Sequence, residues 1–300
     1  MIGFENIEHQ LTENFYNNKL HHAIILSGKK GIGKATFLTE FCRKILNNFD
    51  EINPNIMIVT KEDDKKSISV NAIRKQMNFL YQSSASAPYK FLIIDSACEM
   101  TNQAANSLLK ILEEPKNGTF IFLITHNLSK VLATIRSRSL IVKIPEISIE
   151  QFCEIMQNNN KNYPKDELNF LSKITDNAPA SALAYGDDFI GFYKNFLMSL
   201  NNKNLSDEII KKLSDKKFHW SVLENCILFF NAQFIKFVNN YSTEFYFDED
   251  VVMQNLSTKF SSRQIIEFYD NCLKNLDNCE RYNLDKKTNF INIFNQINYV

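Results

Sequence analysis

The chain has 300 residues, of which 44% are apolar and 23% are charged, and its formal net charge at pH 7 is zero. This length allows two or three domains with proper cores, and the composition is that of a globular protein, not a disordered one. Zero net charge provides no bulk attraction to nucleic acid or to an anionic membrane. A large DNA footprint for this chain alone is therefore not expected.

Neither a membrane segment nor a secretion signal is predicted. No apolar run approaches the ~18–20 residues of a membrane span, and the first residues include Glu5 and Glu8 without an apolar core. His21 and His22 are adjacent, but adjacent side chains point apart, which disfavours a metal site. The six cysteines are scattered and favour free thiols, so we expect a cytoplasmic protein with no zinc and no membrane contact. The cysteines are Cys42, Cys98, Cys153, Cys226, Cys272 and Cys279.

The first predicted strand, residues 23–27, leads into a glycine-rich loop and a helix start. The loop follows the pattern Gly-x-x-x-x-Gly-Lys, with Gly28, Gly31, Gly33 and Lys34. Such a loop turns its backbone N–H groups inward and places a helix N-terminus and a lysine at one point, a geometry suited to phosphate.

One part of this phosphate loop is missing. A Ser or Thr hydroxyl that ligates Mg²⁺ is expected directly after Lys34, but Ala35 stands there and Thr36 comes one step later. One step is about 100° around a helix, so Thr36 cannot simply take over the ligand position.

Apolar runs of strand length alternate with helical patterns along the first half of the chain. This alternation is typical of a parallel sheet covered on both faces, in which ligands bind beyond the carboxyl ends of the strands. Asp95 and Thr125 each follow a predicted strand, so we expect them to converge on the glycine loop. The predicted strands are residues 23–27, 56–59, 91–94, 120–124 and 140–142, and helices are predicted to begin near Thr36, Ser69 and Thr101.

Asp95 occupies the position of the Mg²⁺-organising aspartate of a P-loop NTPase. Hydrolysing members commonly place a glutamate next, to orient the attacking water, whereas this chain has Ser96, a far weaker base. Two interpretations stay open on the residues alone: Asp95 organises a metal ion, or it ends the strand and caps the following turn.

Two charged groups in the first half lack obvious partners. Arg136 and Arg138 precede the last predicted strand, and Glu113 and Glu114 end a helix before Pro115, where acids oppose the helix dipole. The arginines either form loose solvated ion pairs or one is presented in trans to a neighbour's triphosphate, a task that suits a guanidinium. The acids indicate a further role, such as an intersubunit or loop contact.

The second half of the chain is predicted to be helical. Short helices with loops are expected from residue 149 to about 195, followed by an aromatic-rich helical region from about 204 to the end. Two amphipathic stripes are interpreted mainly as helix-bundle core, with partner binding as the alternative. One stripe comprises Val222, Cys226, Phe229, Phe230 and Phe237, and the other comprises Ile265, Phe268, Tyr269, Cys272 and Leu276.

Together these motifs resemble the bacterial clamp-loader branch of the AAA+ ATPases. The most specific run is Asn106-x-Leu-Leu-Lys-x-Leu-Glu-Glu-Pro115, in its order and spacing relative to the glycine loop and to Ile135-Arg-Ser-Arg138. The resemblance is strongest over residues 1–145 and continues more weakly into 283–287.

The resemblance implies a fold and an assembly. The fold is an α/β RecA-like AAA+ domain with a five-stranded parallel sheet over residues 1–145, a small helical lid over 146–197 and an all-α C-terminal collar domain over 198–300. The implied partners are the gamma/tau and delta clamp-loader subunits in a hetero-pentamer, the sliding clamp, and primed DNA reached through the complex.

Within that family, the damaged nucleotide site resembles that of a non-hydrolysing subunit. The resemblance implies that Arg138 is an arginine finger acting in trans. The sequence departs from the family pattern at two further places. The segment 176–183 lacks the arginine that hydrolysing relatives use there, and the four-cysteine zinc module of many relatives is lost, since only Cys42 stands in that region. The implied degenerate nucleotide site consists of Gly28, Gly31, Gly33, Lys34, Thr36, Asp95 and Thr125.

Some alternatives stay open. The loop either holds ATP passively or holds no nucleotide. A rival hypothesis is an ATP-hydrolysing motor subunit in which Lys34 and Asp95 suffice and Thr36 or water serves the metal. A third is a scaffold without a nucleotide role. Polymerase activity would belong to the holoenzyme by association, because no residue here argues for it.

Overall fold

The computed structural model describes the chain except residues 51, 63–64, 66, 82–87, 216–217, 283 and 299–300. It divides into two compact units, one comprising residues 1–155 and 178–180 and the other comprising residues 156–177 and 181–300. The predicted division into three domains stays a prediction.

The first unit alternates strands and helices. Its helices are α1 (Glu5–Tyr16), α2 (Lys34–Leu46), α3 (Val70–Tyr81), α4 (Asn102–Glu113), α5 (Ala133–Arg136) and the start of α6 (Ile149–Asn158). Its strands are β1 (Ala23–Ser27), β2 (Ile56–Val59), β3 (Lys90–Ile94), β4 (Thr119–Thr125) and β5 (Leu140–Lys143). Single turns of 3-10 helix lie at Ala97–Glu99 and Leu128–Lys130.

The strands form a five-stranded sheet in the order β2-β3-β4-β1-β5, and every pairing is parallel. The prediction of a parallel sheet is confirmed. The central strands β1, β3 and β4 are apolar and almost wholly buried because helices cover both faces. The edge strand β5 is mostly exposed, including Leu140 and Ile141.

Helix ends in this unit follow the predicted local chemistry. The Thr101 hydroxyl accepts a hydrogen bond from the backbone N–H of Ala104 at 3.1 Å, which caps α4, and the Ser69 hydroxyl accepts one from Ala72 at 3.3 Å at the start of α3. α4 ends at Glu113, before Pro115, and buries Leu108 and Leu112 against the sheet.

The second unit is helical throughout its described elements. These are the end of α6, α7 (Lys165–Ile174), α8 (Pro179–Asn202) from Ser181 onward, α9 (Asp207–Ser214), α10 (Trp220–Val238), α11 (Glu249–Ser257), α12 (Ser262–Tyr282) and α13 (Lys286–Asn298). The predicted domain boundary at 197/198 lies inside α8. Of the run 283–287, Asn283 lies outside the described residues, whereas Asp285 caps α13 by accepting a hydrogen bond from the Thr288 N–H at 3.0 Å.

The two aromatic stripes contribute to the core of the second unit. In α10, Val222, Cys226 and Phe230 are buried, and in α12 Ile265 and Cys272 are buried. This placement agrees with their interpretation as bundle core.

α10 is long and apolar enough to cross a membrane by length and composition alone, contrary to the expectation that no run approaches that length. It carries buried core side chains, as the central helix of a soluble protein does, so it is weak evidence for a span.

Candidate nucleotide site and the arginine at the opposite end of the sheet

The glycine loop lies at the carboxyl end of β1. Gly31 and Gly33 have φ angles of 81° and 93°, a left-handed conformation that L side chains rarely adopt. Gly28 is required for a different reason: a Cβ atom there would lie 2.9 Å from the Cβ of Ile144. Stereochemistry therefore explains all three glycines whether or not a phosphate binds.

Lys34, the first residue of α2, is directed back into its own loop. Its side chain is buried, and its ammonium donates hydrogen bonds to the carbonyl oxygens of Gly28, at 2.7 Å, and of Lys29. Burial lowers the pKa of Lys34 to about 8, an effect that the nearby Asp95 carboxylate opposes. Carbonyl groups of the loop thus hold a buried ammonium group.

Asp95 directly follows β3, and its backbone N–H donates to the Val59 carbonyl at 2.8 Å. Burial raises the pKa of Asp95, while Lys34 and a hydrogen bond from the Ser96 backbone N–H lower it. Ser96 has the left-handed angles φ 68° and ψ 53°. Asp95 thus interacts with Lys34 and with the backbone of the turn after β3, and its role as a metal-organising aspartate stays a prediction.

Thr125 joins the loop through its backbone. It is fully buried at the end of β4, its carbonyl accepts from the Gly28 N–H at 3.1 Å, and its hydroxyl accepts from the Asn127 N–H at 3.1 Å. Thr36, by contrast, is solvent-exposed on α2. The structure thus brings Gly28, Lys34, Asp95 and Thr125 to one end of the sheet.

Sequence analysis missed a cysteine–histidine contact beside this site. The Cys98 sulfur lies 3.4 Å from Nδ1 of His126, and Cys98 interacts electrostatically with Lys34. His126 directly follows Thr125 at the end of β4, and this position in the sequence could have indicated that His126 lies near the site. No group of three or more His, Cys, Asp or Glu side chains that could hold a metal ion occurs in the described part of the chain.

The segment that lacks the expected arginine also contacts the loop. The Ala180 N–H, in the first turn of α8, donates to the Gly31 carbonyl at 3.0 Å. Residues 178–180 are Ala, Pro and Ala, so no charged side chain accompanies this contact.

Arg138 lies at the other end of the sheet. It follows α5 and precedes β5, so it is at the amino ends of the parallel strands, whereas the glycine loop is at their carboxyl ends. The four steps of β1 span about 13 Å. Arg138 is therefore remote from the nucleotide loop of its own chain.

The Arg138 guanidinium is held by residues of its own chain. Nη2 forms an ion pair with Glu113 Oε1 at 2.8 Å, and Nη1 donates to the Thr134 carbonyl at 3.1 Å and the Ser137 hydroxyl at 3.3 Å. The Arg138 side chain remains 37% exposed. This contact joins the two charged groups that had no obvious partners in the sequence.

The comparisons with known proteins agree with this architecture. A family model described as DNA polymerase III, delta subunit, matches residues 3–148. The DNA polymerase III gamma subunit-related protein of Thermotoga maritima shares the fold at 18% identity, with a TM-score of 0.52 over 99% of this chain and 98% of that one.

Curated relatives match more of the chain. DNA polymerase III subunit delta′ of Buchnera aphidicola subsp. Schizaphis graminum is 27% identical over 243 residues, 71% of each chain. That of subsp. Baizongia pistaciae is 25% identical over 316 aligned residues, 92% of this chain and 91% of the relative. Subunit gamma of subsp. Schizaphis graminum is 28% identical over 226 residues, 69% of this chain and 61% of the relative.

The parallel sheet, the glycine loop and the following helical region form a fold of the RecA-like AAA+ type. Within that fold type, the family model and the curated relatives support a clamp-loader-branch AAA+ protein, similar to the delta′ and gamma subunits of DNA polymerase III. The predicted fold class is confirmed. The roles of individual site residues stay predictions.

Proposed function

We propose that the chain is a delta-prime-type subunit of a bacterial DNA polymerase III clamp loader. It is a non-hydrolysing stator that offers Arg138 to ATP bound on an adjacent gamma/tau motor subunit and holds the delta subunit in register. The assembly loads the sliding clamp onto primed DNA in the cytoplasm. The observation that carries this proposal is the separation of an exposed Arg138 from the chain's own nucleotide loop.

The chemistry of the nucleotide site supports a non-hydrolysing role. Hydrolysis needs a hydroxyl on the metal ion and a carboxylate that orients the attacking water. Ala35 supplies no hydroxyl, and Ser96 supplies no carboxylate. The Ala180 backbone contact to the loop brings no cation either.

The placement of Arg138 supports a role in trans. A guanidinium keeps its charge at all working pH values and presents planar, forked donors to phosphate oxygens. At the amino ends of the strands, Arg138 cannot serve the loop at the carboxyl ends. A triphosphate on a neighbouring subunit is the ligand that uses its charge.

An ATP-hydrolysing motor subunit is the second candidate. The similarity to a gamma subunit and the presence of both Lys34 and Asp95 favour it. It would require water or Thr36 to complete the metal site, and Thr36 faces solvent.

The first experiment is calorimetric titration of the isolated chain with ATP and Mg²⁺, followed by a turnover assay on the same sample. The proposal expects no turnover, with or without binding. Binding without turnover would identify a passive nucleotide site. Turnover that Lys34→Ala abolishes would identify a motor and overturn the proposal.

The second experiment replaces Arg138 in the reconstituted clamp loader. Removal of an arginine finger costs roughly 10³–10⁵ in rate at the site it serves. Because one site of the assembly is affected, Arg138→Ala should lower total DNA-stimulated ATPase and clamp loading only in part. Arg136→Ala is the matched control, since the Arg136 side chain forms no hydrogen bond or ion pair within the described residues. An Arg138→Ala complex as active as the unmodified one would contradict the role in trans.

A further inference from the structure

We propose that Glu113 is a positioning residue that orients the Arg138 guanidinium for its action on the neighbouring subunit. The inference rests on the proposed function, because it requires Arg138 to act in trans. It assigns a role to one of the two acids whose position at a helix end is otherwise unfavourable.

The contacts of Arg138 fix its orientation without using all of its donors. A guanidinium has five N–H donors. The contacts with Glu113, Thr134 and Ser137 use three of them, which leaves two for an external acceptor. Since the side chain is also partly exposed, a phosphate can reach it before any of these contacts breaks.

Glu113 stands on a rigid support. It is the last residue of α4, and the preceding Leu112 is buried while its carbonyl oxygen lies 2.9 Å from Nε2 of His22. The next residue, Glu114, donates its N–H to the Lys110 carbonyl at 3.0 Å. The backbone that carries the Glu113 carboxylate is therefore fixed on both sides.

A comparison with Glu114 shows that negative charge at this helix end does not by itself explain the ion pair between Glu113 and Arg138. Glu113 and Glu114 both lie at the carboxyl end of α4, where a negative charge opposes the helix dipole. Only Glu113 pairs with Arg138; the Glu114 side chain is exposed and forms no ion pair within the part of the chain that the structure describes. Glu114 is thus a natural control for the charge of this helix end.

The ion pair with Glu113 is strong enough to orient Arg138 but too weak to prevent it from binding a phosphate. The Glu113 side chain is 50% exposed, and exposed pairs are weak and screened by salt. Such a contact cannot hold an arginine against a triphosphate. It does restrict the rotamers of a long, flexible side chain before the neighbour binds.

The test uses a reconstituted complex in which only the motor subunit next to this chain can hydrolyse ATP. Turnover is measured over a range of ATP concentrations for Glu113→Gln, Glu114→Gln, Arg138→Ala and the Glu113→Gln/Arg138→Ala double variant. Assembly is checked by sedimentation, so that rates are expressed per assembled complex.

We expect Glu113→Gln to lower kcat about two- to fivefold with KM unchanged, the scale that an exposed pair allows. Glu114→Gln should leave both constants unchanged. In the Arg138→Ala background, Glu113→Gln should have no further effect, because the two side chains act as one unit.

The outcomes separate this inference from the proposed function. If Arg138→Ala leaves turnover unchanged, both are wrong. If Arg138→Ala lowers turnover but Glu113→Gln does not, or if Glu114→Gln has the same effect, only the positioning role is wrong. A higher kcat for Glu113→Gln would also overturn it, since Glu113 would then restrain the arginine.

Discussion

The imidazole of His22 donates a hydrogen bond to the carbonyl of Leu112, 2.9 Å away and 90 residues later in the chain. Pro115 prevents α4 from continuing, so the last carbonyl groups of the helix lack their usual N–H partners. His22, directly before β1, satisfies one of them. The contact connects the end of α4 to the amino end of β1.

Replacing His22 should loosen this connection. We expect His22→Ala to lower the free energy of unfolding by about 1–2 kcal/mol, because it leaves a buried carbonyl without a partner, and His22→Gln to lower it less. Urea denaturation of the isolated chain measures both effects. His9→Ala, at an exposed position on α1, should change stability little. Equal losses for the two alanine variants would argue against the capping role.

The His22 contact should also depend on pH. Burial lowers the pKa of His22 below its ordinary value of 6.5, so the unfolded chain binds this proton more tightly than the folded chain. The stability from neutral His22 is present above pH 6.5 and is lost as the pH falls through the folded-state pKa. The stability difference between the unmodified chain and His22→Ala should therefore shrink in acid, and a difference that grows would contradict this account.

A buried carboxyl group gives the helical unit the opposite pH dependence. Glu249 is fully buried, where it accepts hydrogen bonds from the Tyr193 hydroxyl and from the Tyr246 N–H at 2.8 Å. Burial raises the pKa of Glu249 from 4.5 to about 7. The stability from protonated Glu249 is complete below pH 4.5 and is lost as the pH rises through about 7, an effect of at most about 3 kcal/mol.

Glu249→Gln should remove that dependence. The amide can accept from the Tyr246 N–H and donate to the Tyr193 oxygen, so the unfolding free energy should become flatter between pH 4.5 and 7 and higher at pH 7.5. Glu267→Gln, at an exposed pair with Arg263, should keep the original slope. An unchanged slope for Glu249→Gln would show that another group titrates.

Two glycines predict opposite results for the same substitution. At Gly28 a methyl group would meet Ile144 at 2.9 Å, so Gly28→Ala should destabilise the chain by about 1–3 kcal/mol. At Gly191, inside α8, nothing lies within 4 Å of the added atom, so Gly191→Ala should stabilise the chain by about 0.5–1 kcal/mol. Thermal unfolding of both variants tests the close approach of the glycine loop to residue 144.

Local sequence patterns predicted the elements that local chemistry determines. The apolar runs identified the strands, the Thr101 hydroxyl marked the start of α4, and strand ends placed Lys34, Asp95 and Thr125 together. The signals for the strands and for the start of α4 lie within a few residues of these features, whereas the convergence of Lys34, Asp95 and Thr125 follows from the common direction of the parallel strands.

The contacts that the sequence did not predict join residues far apart in the chain. Glu113 and Arg138 were each noticed, but nothing in either pattern indicated that they pair. The Cys98–His126 contact and the His22 cap of α4 were missed for the same reason. The sequence-based prediction placed a domain boundary at 197/198, but the helix α8 continues from Pro179 to Asn202. Its apolar pattern gives no signal at residue 197.

The parallel sheet makes the first unit directional. All strands run the same way, so the glycine loop lies at one end of the sheet and Arg138 at the other. In a row of such units placed head to tail, each would receive an arginine at one end and give one at the other. A unit that supplies an arginine to its neighbour, but has no hydrolytic site that needs one, can occupy the terminal position in the row. Under the proposed function, the loss of the hydrolytic groups in this chain marks it as the terminal subunit of the assembly.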